Sequence, residues 1–367
     1  MRVVFIVRSN LYTVNGGDTI QVQKTAEQLR CIGVSVDIKL TNETIDYTPY
    51  DLLHFFNIIR PADILVHIKR SGKPFVVSTI YVDYSEYEKN VRKGMAGALF
   101  KIFSPDSIEY LKVIARFFVN GEKINSPGYL FLGQRGSIEK IITKSGMLLP
   151  NSNNEYKRLS KDYNISKAYK VIPNAIDPSL FNGDPGNGSR KENLVICVGR
   201  IEGRKNQFNL IKALNDTKFQ LVIIGSPSPN HVSYYEKCKE IAAANVSFIE
   251  NLKQEKLIDY YKDAKVHVLP SWFETTGLSS LEAGAMGCNL VITDKGDTRE
   301  YFEDFAFYCD PSSTESIFEA VSKAAGANPD KKLQEKIFSQ YTWSNTARLT
   351  LQAYNEILQK KTQNYEG

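Results

Sequence analysis

Two glutamates eight residues apart stand in the most informative stretch of the chain, LPSWFETTGLSSLEAGAMG (269–287). An apolar strand is predicted to end at Pro270, a short loop carries Glu274, and Gly277 opens a helix that carries Glu282. At helical rise this separation spans up to about 12 Å, which matches the reach of a nucleotide sugar from ribose to hexose. A carboxylate accepts paired hydrogen bonds from neighbouring hydroxyls, so each glutamate could hold one sugar ring. A lone E-x7-E pair usually consists of two surface residues, so whether this pair forms a binding site depends on the motifs around it.

Groups that suit a diphosphate occur around this pair. The predicted helix start favours an anion, because free backbone N–H groups lie at the positive end of the helix dipole. These N–H groups are those near Thr276, Gly277 and Leu278. A second loop, CVGRIEGRK (197–205), follows another predicted strand and places Arg200 and Lys205 just beyond its carboxyl end. Two cations there suit a diphosphate leaving group, although alone they would be solvated loop charges.

Together these motifs resemble those of the GT-B-fold retaining glycosyltransferases of family 4, the "group 1" class, over nearly the whole chain. The family's E-x7-E motif matches Glu274 and Glu282, and its Gly-Arg…Lys signature matches Gly199, Arg200 and Lys205. Three further segments resemble the family's glycine-rich loop and first helix, its interdomain segment, and the stretch whose first loop holds the base. They read NGGDTIQVQKTAEQL (15–29), VIPNAIDPSLF (171–181, with Ala175 where glycine is usual) and FIENLKQEKLIDYYKDAKVHVLPS (248–271).

The resemblance implies a role for each matched residue. Glu282 would bind the ribose hydroxyls, Glu274 would face the transferred sugar, and Arg200 and Lys205 would neutralise the leaving diphosphate. Gly16 and Gly17 would close over the donor phosphates from the other domain, and the base would lie near Asn251 and Leu252. It further implies retention of configuration by same-face attack, with the donor phosphate taking the acceptor's proton. No metal and no other cofactor is expected, and no D-x-D motif is placed to hold a metal.

The chain departs from the family near the transferred sugar. Many relatives carry a histidine after the strand that corresponds to Phe75–Ile80, whereas this chain reads STIYVDYSEYE, with Tyr81 and Asp83. Either residue could supply the polar contact to the sugar or acceptor. His54, near another strand end, is expected to be a structural histidine of the core.

The elements that must position these residues alternate short apolar strands with amphipathic helices, twice over. The predicted strands are Val3–Val7, Val34–Leu40, Leu52–Phe56, Phe75–Ile80, Met147–Leu149 and Val171–Ile172, then Leu194–Val198, Gln220–Ile224, Val246–Ile249, Val266–Leu269, Leu290–Thr293 and Ala306–Tyr308. This pattern predicts an α/β chain of GT-B architecture, with two doubly wound Rossmann-like domains facing across a cleft. We assign residues 1–172 to the acceptor-side domain and 173–345 to the nucleotide-sugar domain. A C-terminal helix, about 346–367, is expected to pack back on the first domain.

Composition and charge indicate the compartment and the kinds of partner expected for the protein. The 367 residues suffice for two domains, and five scattered cysteines favour reduced thiols in a cytoplasmic protein. No signal peptide or transmembrane run is recognisable. Residues 1–170 carry a net charge of +8 and the remainder −3. The basic half suggests an anionic neighbour, or only an uneven solvated surface.

Residues 89–118 offer one explanation for this charge. They mix basic and aromatic side chains in two short predicted helices that could rest on an anionic membrane, at the inner face of the cell membrane, near a lipid-linked acceptor. The alternative is that the apolar face covers the sheet and the lysines are solvated.

The function predicted is sugar transfer from a nucleotide sugar to a glycan or lipid-linked acceptor, in bacterial cell-surface polysaccharide assembly. Two alternatives stay open: another GT-B enzyme, such as an epimerase or phosphorylase, and a catalytically degenerate sugar-nucleotide-binding partner. A nucleic-acid partner is not expected, because the basic residues are dispersed and form no recognisable binding module.

Overall fold

The computed structural model describes residues 1–14, 16–91, 106–107, 110–111, 126–182, 190–250, 252 and 254–363. The chain divides into two compact units. The N-terminal unit comprises Met1–Tyr81, Arg92–Asn174 and Trp343–Gly367, and the C-terminal unit comprises Val82–Val91 and Ala175–Thr342. A short piece of the first half of the sequence, Val82–Val91, therefore belongs to the C-terminal unit. The sequence-based division assigned all of residues 1–172 to one domain and so did not predict that Val82–Val91 belongs to the C-terminal unit.

The described part of the N-terminal unit is built on a parallel sheet with the strand order β2-β1-β3-β4-β5. Its strands are β1 (Arg2–Val7), β2 (Ser35–Leu40), β3 (Leu52–Phe56), β4 (Phe75–Ser78) and β5 (Met147–Leu148). Its helices are α1 (Gly17–Cys31), α2 (Pro61–Ser71), α4 (Pro127–Lys144), α5 (Asn153–Tyr163) and α13 (Trp343–Gln363).

Strand β1 shows why this sheet is covered on both faces. Alternate side chains of a strand point to opposite faces, and all of its residues after Arg2 are buried. Val3 and Phe5 join a core cluster that contains Tyr354 of α13, whereas Val4 joins a second cluster that contains Ile138 of α4. A continuous apolar run such as VVFIV is therefore the sequence signature of a strand between two helical layers.

The C-terminal unit has a second parallel sheet, with the order β11-β10-β9-β6-β7-β8 among the described residues. The strands are β6 (Lys191–Val198), β7 (Gln220–Ile224), β8 (Val246–Ile249), β9 (Ala264–Leu269), β10 (Asn289–Thr293) and β11 (Ala306–Cys309). The helices are α3 (Ser85–Val91), α6 (Gln207–Leu214), α7 (Val232–Ile241), α8 (Gln254–Asp263), α9 (Leu278–Ala285), α10 (Thr298–Phe302), α11 (Thr314–Gly326) and α12 (Lys331–Gln340).

The α/β class with two parallel sheets is confirmed, but one predicted strand is wrong. Val171–Ile172 forms no strand. Just before it, Tyr169 makes an isolated bridge with Leu148, and the Ile172 N–H then donates one hydrogen bond to the Pro150 carbonyl, at 2.8 Å. A parallel ladder needs the return bond from residue 150, and proline has no N–H to donate. The pairing therefore stops one step after β5.

Candidate active site

The carboxyl ends of three neighbouring strands bring the predicted site residues of the C-terminal unit together. Strand β9 pairs with β6 on one side and with β10 on the other, all in parallel. The loops that follow them therefore lie at one edge of the sheet, where open α/β sheets bind ligands. These loops are Gly199–Lys205 after β6, Pro270–Gly277 after β9 and 294–297 after β10.

Lys205 and Glu274 meet at this edge. The Lys205 Nζ atom lies 2.5 Å from Glu274 Oε2, and the Ser271 hydroxyl donates to the same oxygen at 3.1 Å. Both side chains are largely shielded, with 21% and 12% of their surfaces exposed. Burial by itself lowers the pKa of Lys205, but Glu274, with a smaller contribution from Glu202, reverses the effect and raises that pKa, so the ammonium keeps its proton.

The backbone on both sides of Glu274 is also fixed. The Glu274 N–H donates to the Lys295 carbonyl at 3.1 Å, and the Glu274 carbonyl accepts from the Asp297 N–H at 2.9 Å. The loop after β10 thus clamps the loop after β9. Such preorganisation holds a charged group where a substrate can use it without rearrangement.

A buried carboxylate that sequence reasoning missed organises the second cation. Glu202 is 4% exposed, and its Oε1 atom lies 3.5 Å from Nη2 of Arg200 and 3.3 Å from Nη2 of Arg204. Burial alone raises the pKa of Glu202, but the neighbouring cations reverse the effect and lower it, so the carboxyl is ionised. The Ser228 hydroxyl donates to its other oxygen at 3.1 Å. The only signal in the sequence is a glutamate between the arginines of GRIEGRK.

Glu282 lies in a different environment, on helix α9. The Tyr261 hydroxyl donates to Glu282 Oε2 at 3.0 Å, and burial raises the pKa of this carboxyl to about 7. Helix α9 begins at Leu278, after Gly277 in a left-handed conformation (φ 70°) and the buried Thr276. The sequence-predicted start of this helix, with its positive dipole end, is therefore present.

The comparisons with known proteins agree with this arrangement. Residues 184–338 match the family model described as "Glycosyl transferases group 1". Within this range the chain is similar to the group 1 glycosyltransferases. It is 22% identical to the N-acetylgalactosamine-N,N'-diacetylbacillosaminyl-diphospho-undecaprenol 4-alpha-N-acetylgalactosaminyltransferase of Campylobacter jejuni over 95% of both chains. It is 25% identical to the D-inositol 3-phosphate glycosyltransferase of Acidothermus cellulolyticus, but that match spans only 47% of this chain and 43% of the relative.

Solved structures establish the GT-B fold. Sucrose-phosphate synthase from Thermosynechococcus elongatus superposes with a TM-score of 0.75 at 16% identity, over 98% of this chain and 100% of that one. Anabaena Alr3699/HepE, solved in complex with UDP and glucose, superposes with a TM-score of 0.61 at 14% identity, over 100% of this chain and 99% of the other. The predicted architecture of two Rossmann-like domains is confirmed.

The remaining residues predicted to bind the donor lie in several parts of the structure. Gly199 directly follows β6, and its N–H donates to the Ile224 carbonyl at 3.0 Å. Gly16 is the N-cap of α1 and Gly17 its first residue, both in the N-terminal unit. Leu252 packs against the core of the C-terminal unit, while Asn251 lies outside the described residues. The donor-binding roles of these residues stay predictions.

The two residues expected near the sugar fall in different units. Tyr81 belongs to the N-terminal unit, where its hydroxyl donates to Asp162 Oδ2 at 2.7 Å. Asp83 belongs to the C-terminal unit and accepts the Ser85 N–H at the start of α3, at 2.8 Å. The assignment of either side chain to the sugar or acceptor stays a prediction.

His54 has the structural role that was expected. It is 1% exposed, its Nδ1 lies 2.6 Å from the Tyr354 hydroxyl and its Nε2 lies 2.8 Å from the Ser78 hydroxyl. Burial lowers its pKa to about 3, so the ring is neutral. The contact with Tyr354 also ties helix α13 to β3 within the N-terminal unit.

A buried carboxylate fixes the chain after β4. Glu155, fully buried, accepts from the Thr79 hydroxyl, from the Tyr81 N–H at 2.9 Å and from the Asn151 N–H at 2.9 Å. Ile80, between the first two donors, has φ 45°, a conformation that costs a β-branched residue of order 1–3 kcal/mol. Glu155 therefore holds a strained turn at the carboxyl edge of this sheet.

Glu155→Gln is expected to lower the free energy of unfolding of the N-terminal unit by about 2 kcal/mol. The amide keeps one oxygen acceptor but offers NH₂ where the Asn151 N–H needs an acceptor, which leaves a buried donor unsatisfied. Thermal midpoints by calorimetry would measure the effect. Glu139→Gln, which alters an exposed pair with Arg135, is the matched control and should change the midpoint little. Equal midpoints for the two variants would contradict the assigned role of Glu155.

The membrane contact and the metal independence predicted from the sequence are not tested by the described residues. The basic and aromatic segment 89–118 lies largely outside the described residues, so its contact with a membrane stays a prediction. Within the described ranges, we find no helix with the length and apolar character required to cross a membrane. No group of three or more His, Cys, Asp or Glu side chains that could hold a metal occurs in that part of the chain either. Metal independence also stays a prediction.

Proposed function

We propose that this chain transfers a sugar from a nucleoside-diphosphate sugar to a glycan or lipid-linked acceptor, with retention of configuration and without a metal ion. The observation that carries the proposal is the contact between Lys205 and Glu274 at the sheet edge, within the motif that also carries Glu282. An ammonium held by the sugar-side carboxylate can meet both the sugar and the departing phosphate. The name of the C. jejuni relative points to a lipid-diphosphate acceptor, and the Anabaena structures, which contain UDP, glucose or UDP-glucose, point to a UDP-sugar.

The residues divide into three tasks in this proposal. Glu282 binds the ribose hydroxyls, Glu274 orients the transferred sugar, and Arg200 and Lys205 neutralise the diphosphate as its bond to C1 breaks. The acceptor hydroxyl attacks C1 on the face that the diphosphate leaves and gives its proton to the departing phosphate oxygen. Gly16 and Gly17 bind the donor phosphates through backbone N–H groups.

A donor panel tests the proposal. The protein is assayed with UDP-, GDP- and ADP-sugars and with lipid-diphosphate acceptors, and the anomeric configuration of the product is read by NMR. Transfer with retention that is unaffected by chelator is the expected result. An inverted product would overturn the stereochemistry, and strict dependence on magnesium or manganese would overturn the metal-free mechanism. Nucleotide binding without transfer or hydrolysis across the panel would favour a binding partner over an enzyme.

The affinity for a nucleotide sugar is expected to fall about tenfold when the pH is lowered from 8 to 6. Ribose hydroxyls donate to the ionised carboxylate, and a pKa near 7 leaves Glu282 about nine-tenths ionised at pH 8 but only about one-tenth at pH 6. Isothermal titration with a UDP-sugar, whose phosphodiester does not titrate in this range, measures the effect. Glu282→Gln should bind weakly at both pH values, and a wild-type affinity that does not change with pH would contradict the assignment.

A further inference from the structure

The C-terminal unit carries one segment that comes from the first half of the sequence. Residues 82–91, which include helix α3, cluster with the strands and loops of that unit. Contacts of this segment reach all three loops that form the candidate donor site. The partners are Arg204 and Gly203 in the loop after β6, Phe273 in the loop after β9, and Lys295 in the loop after β10.

Tyr84 makes the contact nearest to the site. The Arg204 guanidinium carbon lies 4.4 Å from the centroid of the Tyr84 ring, and the Phe273 ring meets Tyr84 edge-on at 6.0 Å. Burial raises the pKa of the Tyr84 hydroxyl, and the charged groups acting on it are those of Arg204, Glu274, Lys205 and Glu202. The ring thus lies among the ion pairs of the donor site, and a half-buried arginine over an aromatic face is held by cation–π attraction.

Tyr87 anchors the same segment in a notch that only glycine leaves open. It is 8% exposed, and a Cβ atom added to Gly203 would overlap its hydroxyl oxygen. On the outer side, Glu86 Oε2 lies 3.3 Å from Lys295 Nζ. The carbonyl of that same Lys295 accepts the Glu274 N–H.

We propose that residues 82–91 form a wall of the donor site and that Tyr84 is a positioning residue that fixes the Arg204 guanidinium on Glu202. This inference rests on the proposed function. Glu202 accepts hydrogen bonds from both Arg204 and Arg200. If the Tyr84 ring no longer holds the Arg204 guanidinium in place, Arg204 moves on the carboxylate and Arg200 moves with it. Arg204 also precedes Lys205, and its carbonyl accepts the Trp272 N–H at 2.9 Å, two residues before Glu274.

The test uses kcat and the donor KM of the full chain, measured well below its thermal midpoint. Tyr84→Leu is expected to lower kcat about tenfold with little change in donor KM, because it removes the aromatic face from Arg204. Tyr84→Phe keeps that face and should retain most of the activity. A merely structural role would lower the thermal midpoint of Tyr84→Leu while leaving kcat intact.

Gly203→Ala provides an independent test from the other side of the contact. The added methyl group overlaps the Tyr87 hydroxyl and must shift this side chain, so kcat should fall, although less than in Tyr84→Leu. Gly203→Ala/Tyr87→Phe removes the overlapping oxygen and should recover activity. An active wild type whose Tyr84→Leu and Gly203→Ala variants keep their kcat would overturn this inference alone. A wild type that binds no nucleotide and transfers no sugar would overturn the proposed function and this inference together.

Discussion

Lys205→Ala is expected to lower kcat for sugar transfer by about 100- to 1,000-fold, with a much smaller rise in donor KM. The ammonium acts most strongly when the leaving diphosphate gains negative charge, and one preorganised electrostatic contact of this kind contributes about 3–4 kcal/mol to the transition state. Its loss also leaves Glu274 in a shielded position, where the Ser271 hydroxyl is its remaining side-chain hydrogen-bond partner among the described residues.

A matched control separates the chemistry from the loss of an ion pair. Lys191 pairs with Asp263 in the same unit at 2.6 Å, but both side chains are more than half exposed. Lys191→Ala should leave kcat and KM unchanged, since exposed pairs contribute little. Glu274→Gln should resemble Lys205→Ala, and the double variant should be little worse than either single one if the pair acts as a unit. A Lys205→Ala enzyme with wild-type kcat would remove Lys205 from the mechanism.

Gly296→Ala is expected to lower the thermal midpoint of the C-terminal unit by about 6–12 °C, corresponding to about 3 kcal/mol, and to impair transfer as well. Gly296 has φ 100°, a region that L side chains rarely adopt, and its added Cβ would overlap the carbonyl oxygen of Glu274. The conflict is with backbone, so it can be relieved only by moving the loop that positions the Glu274 carboxylate.

Gly326→Ala is the control for this substitution. Gly326 ends helix α11, has no positive φ, and an added Cβ would meet no atom within 4 Å. Alanine there should leave the midpoint unchanged or raise it slightly, because it reduces the freedom of the unfolded chain. Calorimetry of both variants, together with donor kinetics, checks the prediction. A Gly296→Ala protein as stable and active as Gly326→Ala would contradict the prediction, because it would show that the loop can move without loss of stability or activity.

Much of the candidate site could be predicted because its residues follow recognisable strands. Apolar runs such as LVICV and VHVLP mark buried parallel strands, and the carboxyl ends of such strands meet at one edge. Arg200, Lys205 and Glu274 could therefore be placed together from the order of strands and loops along the chain. Glu282 followed from helical spacing after Gly277.

Other features depend on distant partners and left no periodic signal. Glu202, between two arginines, was not singled out from the sequence, whereas the fold buries it against both guanidinium groups and the Ser228 hydroxyl. The end of the strand pairing after β5 could not be predicted, because it depends on Pro150 lying opposite Ile172, and neither sequence segment specifies that pairing by itself.

The sequence by itself determined the α/β class, the two sheets and the pairing of a carboxylate motif with a cationic loop, because these depend on periodicity and on local chain order. Only the tertiary structure decided that Lys205 binds Glu274 and that residues 82–91 belong to the C-terminal unit. The physical reason is that such contacts are selected by shape and charge between segments far apart in sequence. Gly203 and Tyr87 are 116 residues apart, and the Tyr87 side chain has room there because residue 203 has no Cβ.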